Sequence, residues 1–284
     1  MNSLRHYLMA GALALSTIPV TAVAGPILYG VNFSGPTPLF TIDQASAAVA
    51  GTAGNLVNVG DLTSNQTNTL WGVTLGGGNN DLVTIDTSTG NVASSVALTG
   101  VNANTGGGSI TSLAFNPISG FLYGNTTPSF GDTLRGDDLY QINPLTGALT
   151  FIGNINFDNI FALAFDQLGT LFGISASSAA LVSIDTLTGA GTSIAAGLPG
   201  GLFDIASRPG DNIMFISNTG VGGLGTINTV TGAITPVGSY NDPSANNIVG
   251  LAFLGRVPEP SSLALIGAAL VAFGVRLSRR KLAG

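Results

Sequence analysis

Leu181-Val182-Ser183-Ile184-Asp185, continued by Thr186-Leu187-Thr188-Gly189, is the stretch on which the fold turns. After its leucine it alternates apolar and polar residues, the pattern of a half-buried strand. The aspartate and glycine that follow form a turn: the carboxylate accepts a backbone N–H two residues on, and glycine takes the positive φ that reverses the chain. The same pattern opens at Leu39, Leu82, Leu139 and Leu224, with leucine-to-leucine spacings of 43, 57, 42 and 43 residues. Four of the five copies end in Thr-Gly: Thr89-Gly90, Thr146-Gly147, Thr188-Gly189 and Thr231-Gly232. The first copy has Ala47-Ala48 there, which predicts a different turn.

Two further motifs precede each copy. One is Leu28-Tyr29-Gly30, Leu70-Trp71-Gly72, Leu122-Tyr123-Gly124, Leu171-Phe172-Gly173 and Met214-Phe215-Ile216. The other is Leu113-Ala114-Phe115, Leu163-Ala164-Phe165, Leu202-Phe203-Asp204 and Leu251-Ala252-Phe253, with a weaker version at Val59–Thr63. Each unit thus reads as four short strands in 42 or 43 residues, the size of a propeller blade. The first unit lacks its leading strand, and Leu251–Phe253 lacks a continuation. Joining them completes a fifth blade and removes two open sheet edges. The expected fold is all-β, a five-bladed propeller closed by pairing its terminal strands. A β-solenoid is the alternative, but its coils are shorter and need no complementary ends.

The flanks read as targeting segments. Residues 1–24 have a positive start at Arg5, an apolar run over Tyr7–Ile18 and an Ala22-Val23-Ala24 cleavage pattern, so signal peptidase is expected to cut after Ala24. The ectodomain is residues 25–256. Residues 257–284 follow: Val257-Pro258-Glu259-Pro260-Ser261-Ser262, the apolar run Leu263–Val275, then Arg276, Arg279, Arg280 and Lys281. Ser261–Leu277 counts 17 residues, the lower limit for a transmembrane helix. The basic cluster places the C-terminal end in the cytoplasm and the ectodomain outside.

This order of motif, short span and basic cluster resembles the PEP-CTERM sorting tails. The resemblance covers residues 257–284 only. It implies recognition and cutting near Pro258-Glu259-Pro260 by an exosortase. It also implies a Gram-negative producer of exopolysaccharide or biofilm. The localisation that follows is an inner-membrane-anchored intermediate, then the cell surface or extracellular matrix. Such tails carry unrelated ectodomains, so the resemblance supplies an address and no activity.

The ectodomain holds thirteen aspartates against three arginines, a formal charge of −10, with no lysine, glutamate, histidine or cysteine. Such a chain repels phosphate backbones, which argues against nucleic acid as a partner. The absent residue types rule out a Ser-His-Asp triad, a thiol nucleophile, a Schiff-base lysine and the usual zinc sites. No catalytic residue and no metal site is assigned. The reading is a non-enzymatic binding or structural propeller, with a polysaccharide as the possible ligand. The alternative is an aspartate-dependent polysaccharide hydrolase or lyase, which requires two aspartates converging at one mouth of the channel.

Asp43, Asp86 and Asp185 share their place with Asn143 and Asn228, so the place needs an acceptor and not a charge. Asp166 stands where another copy has Asn116, and the same argument applies. The 57-residue unit carries two longer segments, Val101–Ser109 and Thr126–Asp138. The second offers Phe130, Asp132, Arg135, Asp137 and Asp138 as a candidate binding loop. Asp132, Asp137 and Asp138 are hard oxygen ligands that Ca²⁺ can use, although no EF-hand or RTX spacing is present. The aromatic column Tyr29, Trp71, Tyr123, Phe172 and Phe215 can stack on sugars, but recurrence in every blade favours packing between blades.

Overall fold

The computed structural model describes residues 25–33, 35–52, 54–75, 80–101, 108–127, 137–218 and 222–255. The leader, the tail, Phe130, Asp132, Arg135 and Arg256 lie outside the described residues.

Among the described residues, twenty strands form five four-stranded antiparallel sheets. The first blade holds β1 (Ile27–Asn32), β2 (Phe40–Ile42) and β3 (Val49–Gly51). The second holds β4 (Val59–Ser64), β5 (Leu70–Thr74), β6 (Asp81–Asp86) and β7 (Asn91–Ala97). The third holds β8 (Ser109–Phe115), β9 (Leu122–Thr127), β10 (Asp138–Ile142) and β11 (Leu149–Asn154). The fourth holds β12 (Ile160–Phe165), β13 (Leu171–Ser175), β14 (Ala180–Ile184) and β15 (Gly191–Ala196). The fifth holds β16 (Leu202–Ser207), β17 (Met214–Asn218), β18 (Gly223–Ile227) and β19 (Ile234–Ser239). The last strand, β20 (Ile248–Leu254), returns to the first blade and pairs with β1, Leu28 opposite Phe253. The ring is closed by its two terminal strands, as the two half-units require. Among the described residues no α-helix occurs.

The innermost strands β20, β4, β8, β12 and β16 neighbour one another around a central channel. The aromatic column lies buried between blades. Trp71 stacks on Phe115 at 5.8 Å, Tyr123 meets Phe165 at 5.2 Å and Phe215 meets Phe253 at 5.3 Å. Each pair joins one blade to the next, which is the packing role and leaves these rings no face for a ligand.

The glycine of the Leu-aromatic-Gly motif has a steric reason. A Cβ on Gly173 would lie 3.0 Å from Ile160 and 3.2 Å from Ile184. Gly30, Gly72 and Gly124 meet the equivalent side chains at 2.8–3.4 Å. The missing side chain is the space that the inner-strand and third-strand isoleucines or valine fill. In the fifth blade Ile216 takes the glycine's place, and its cross-strand partner is Gly225. Elsewhere those partners are Gly30–Phe40, Gly72–Val83, Gly124–Tyr140 and Gly173–Val182. Large and small have changed strands, and the pair still holds one bulky residue.

The acceptor turns form as the Asp/Asn interchange requires. Asp86 Oδ1 accepts from Ser88 N at 2.8 Å, Asn143 Oδ1 from Leu145 N at 2.9 Å and Asp185 Oδ1 from Leu187 N at 2.7 Å. Asp166 does the same for Leu168 N at 3.0 Å. The first copy departs from expectation, and by register Ser46-Ala47, not Ala47-Ala48, stands at the Thr-Gly place. Its turn has the same hydrogen bonds, with Asp43 Oδ1 accepting from Ala45 N, and Ala47 adopts the glycine's conformation at φ 63°. The acceptor side chain and the flanking strands impose the turn, and alanine takes the left-handed strain.

Candidate functional site

Every inner strand carries a β-bulge near its start. The register slips between Val59 and Asp61, Ile110 and Ser112, Ile160 and Ala162, and Leu202 and Asp204. In the first blade Val249 is skipped in the same way. A bulge re-aims its extra side chain and is common beside binding sites. Here it turns Gly60, Thr111, Phe161, Phe203 and Val249 to one mouth of the channel, which is also lined by Phe33 and Leu75. The mouth encloses about 130 Å³. Phe161 and Phe203 lie side by side on its floor, ring centroids 6.0 Å apart and nearly parallel at 23°. Both are half-buried and reach solvent. Val249 and Phe33 complete an apolar rim.

One residue further along the same strands stand Asp61, Ser112, Ala162, Asp204 and Gly250. Asp61 and Asp204 have no solvent exposure and are hydrogen-bonded to each other. Asp61 Oδ2 accepts from Leu113 N on the next blade at 2.5 Å, and its Oδ1 accepts from Leu62 N at 2.7 Å. Asp204 repeats this: Oδ2 accepts from Leu251 N of the closing strand, and Oδ1 from Ile205 N at 2.7 Å. Each carboxyl therefore stitches its own inner strand to the next. Burial pushes Asp61 up to about 8. Burial, together with the charge of Asp61, holds Asp204 well above the usual carboxylate range. Two adjoining buried carboxyls are stable when they share a proton. Tyr240, beside Asp204, is raised as well by burial and by that charge.

The described flanks of the second longer segment stand at the same end of the ring as the apolar mouth: Thr127, the last residue of β9, pairs with Ser109 at the start of β8. Asp137 and Asp138 are buried. Asp137 accepts from Asn125 Nδ2 at 3.0 Å, Thr127 Oγ1 at 3.2 Å, Asn159 N at 3.2 Å and Ile160 N at 2.7 Å. It ties the third blade to the fourth, and its burial raises it to about 7. Asp138 accepts from Asn154 Nδ2 at 3.0 Å. Neither carboxylate faces open solvent.

Sequence reasoning located neither ring. Leu202-Phe203-Asp204 reads in the sequence as one copy of a strand motif, which singles out neither its phenylalanine nor its aspartate. The available signal was a column: aspartate in two blades where the others hold Ser112, Ala162 and Gly250. A carboxylate recurring in an apolar strand, with no cation near, marks a buried partner.

Similarity to known proteins concerns the fold alone. No curated protein sequence matches the chain. A chain of the nidogen/laminin complex is 8% identical over 82% of this chain and 100% of its own, with TM-score 0.51. A protein of unknown function from Bacteroides thetaiotaomicron is 14% identical over 74% of this chain, with TM-score 0.46, and this chain spans only 50% of its length. A luciferin-regenerating enzyme is 10% identical over 75% of this chain and 80% of its own, with TM-score 0.45. Residues 256–281 match the PEP-CTERM protein-sorting motif. That motif implies an exported, exosortase-sorted protein, and the cargo it delivers is a five-bladed β-propeller.

Proposed function

We propose that the propeller is a non-enzymatic surface module that binds the sugar rings of extracellular polysaccharide at its apolar channel mouth. The observation that carries this reading is the stacked, solvent-reaching pair Phe161 and Phe203, aimed outward by the bulges of β12 and β16. Aromatic faces pack against the C–H face of a pyranose and need no charged group. The buried aspartate pair argues for scaffolding over hydrolysis, since each carboxyl is spent on backbone N–H groups and on its partner. Delivery belongs to the same proposal. Signal peptidase removes residues 1–24, the apolar run 263–275 holds the chain in the inner membrane, and an exosortase acts at Pro258-Glu259-Pro260 before surface or matrix deposition.

The test is a glycan array with the purified protein, followed by calorimetry on the best oligosaccharide. Phe161→Ala and Phe203→Ala should each weaken binding roughly tenfold, about 1.4 kcal/mol, with the saccharide recovered uncut. Binding that survives the double substitution, or cleavage of the saccharide, refutes the proposal.

A further inference from the structure

The end of the ring opposite the apolar mouth carries the strand-reversing turns. It is also where β20 runs out at Leu254, opposite the start of β1 at Ile27. Gly255 N, the next group, donates to Gln66 O in the turn after β4. The tail therefore leaves from the axis of this base. In the sequence only residues 256–262 separate Gly255 from the apolar run Leu263–Val275. Seven residues reach about 25 Å at most. A tail seated in a bilayer therefore keeps the base at the headgroups.

The base is not uniform. The most exposed large apolar residues of the described chain all lie on its turns: Leu145 (88%), Leu187 (87%), Leu168 (80%), Val230 (79%) and Ile118 (70%). All five belong to the third, fourth and fifth blades. Leu145, Leu187 and Val230 occupy one repeat position, two residues after the acceptor. The first and second blades have Ala45 and Ser88 there and make the same turn. The turn therefore does not need an apolar side chain. Ile118 and Leu168 are neighbours, since a Cβ on Gly169 would touch Ile118 at 3.3 Å. The corresponding turn of the second blade is Asn65-Gln66-Thr67-Asn68. Exposed apolar side chains gathered on one sector mark a contact surface.

We infer that this sector docks on the lipid bilayer, so that the anchored propeller stands base-down, tilted onto its third to fifth blades, with the Phe161–Phe203 mouth facing away from the membrane. The inference rests on the anchoring role proposed for the tail. The lipid carries no net charge in its headgroup: the sector also carries Asp166, Asp185 and Asp211, and Arg208, its one described cation, is already paired with Asp211.

The chain has no cysteine, so single cysteines can be placed and labelled without background. The full chain would be reconstituted in phosphatidylcholine vesicles that include brominated lipid, carrying a fluorophore at Leu187→Cys or, at the opposite end, at Val57→Cys. Flotation reports the anchor and bromine quenching reports the docking. The expected result is flotation of both proteins, with fluorescence lost at position 187 and kept at 57. The loss should be reversed by adding Leu145→Ser and Val230→Ser, which the exposed turns tolerate, and reduced in phosphatidylglycerol vesicles at low salt. Flotation without quenching at 187 overturns the docking alone. Failure to float overturns the anchor and the docking with it. Burial of the label at 187 in detergent, with self-association, names a second copy as the occupant and overturns the lipid.

Discussion

Two rings of side chains sit one residue apart on the same five strands, and they do opposite work. The bulge ring of Gly60, Thr111, Phe161, Phe203 and Val249 lines a cavity, and all of it but the buried Gly60 reaches solvent. The ring below it, Asp61, Ser112, Ala162, Asp204 and Gly250, is sealed, and its two carboxyls hold strand to strand. A single extra residue per strand separates a surface free to bind from an interior that must stay closed. The bulge is what permits both on one strand, because without it successive residues would simply alternate between faces.

Breaking the inner ring should have the largest effect. A Cβ on Gly250 would lie 2.9 Å from both Asp61 Cα and Leu62 N, which are backbone atoms that cannot yield. Gly250→Val is expected to cost more than about 4 kcal/mol, as overpacking against fixed backbone does. Urea unfolding, or failure to obtain folded protein, would show it. A variant of near wild-type stability would mean that β20 and β4 are not packed this closely.

The carboxyl pair comes next. Asp204→Ala leaves the Leu251 and Ile205 amides without acceptors and should cost about 2–3 kcal/mol at pH 5. The pair also sets a pH dependence. Asp61 is raised from 3.8 to about 8, so the folded ring binds more protons than the unfolded chain across that window. Stability is complete below the window and is lost as the pH climbs through it, by about 1.4 kcal/mol per pH unit for each proton involved. Asp61→Asn, uncharged and of the same shape, should flatten that decline in melting temperatures taken from pH 4 to 8. An unchanged slope would remove the shared proton from the account.

The outer ring sharpens the contrast. Phe161→Ala and Phe203→Ala should each lower stability by less than about 1.5 kcal/mol, since half-exposed rings forfeit only part of their burial. If either variant unfolds the chain, the mouth is part of the core and not a site. The smallest effect is expected at the first turn. Ala47→Gly relieves a left-handed alanine at φ 63° but removes a buried methyl, so thermal melting should shift by no more than about 1 kcal/mol in either direction. The reciprocal Gly90→Ala should be clearly worse, because its Cβ would strike Thr52 Oγ1 at 2.0 Å.

The blades and their closure were legible because they are local and periodic. Leu-x-x-Ile runs, acceptor-and-glycine turns and a half-unit at each extremity depend on the spacing of neighbours along the chain, which a sequence displays directly. The apolar mouth was hidden because a bulge adds a residue without altering the apolar pattern on either side of it. Asp61 and Asp204 are 143 positions apart, and no local rule connects them. Asp137 reads in the sequence as part of a solvated loop, since its partners come from two other segments, Asn125 and Thr127 on β9 and Asn159 and Ile160 at the start of β12.

The sequence by itself determined the strand count, the chemistry of four of the five acceptor turns, the closure of the propeller by its terminal strands and the sorting motif, all of which follow from order along one dimension. The tertiary structure alone decided which residues face the channel, which carboxyls meet and which turns share the base from which the tail departs. Those are facts of closure: bending five sheets into a ring brings distant positions to one axis, and neither hydrophobic period nor residue type records where on that axis a side chain will stand.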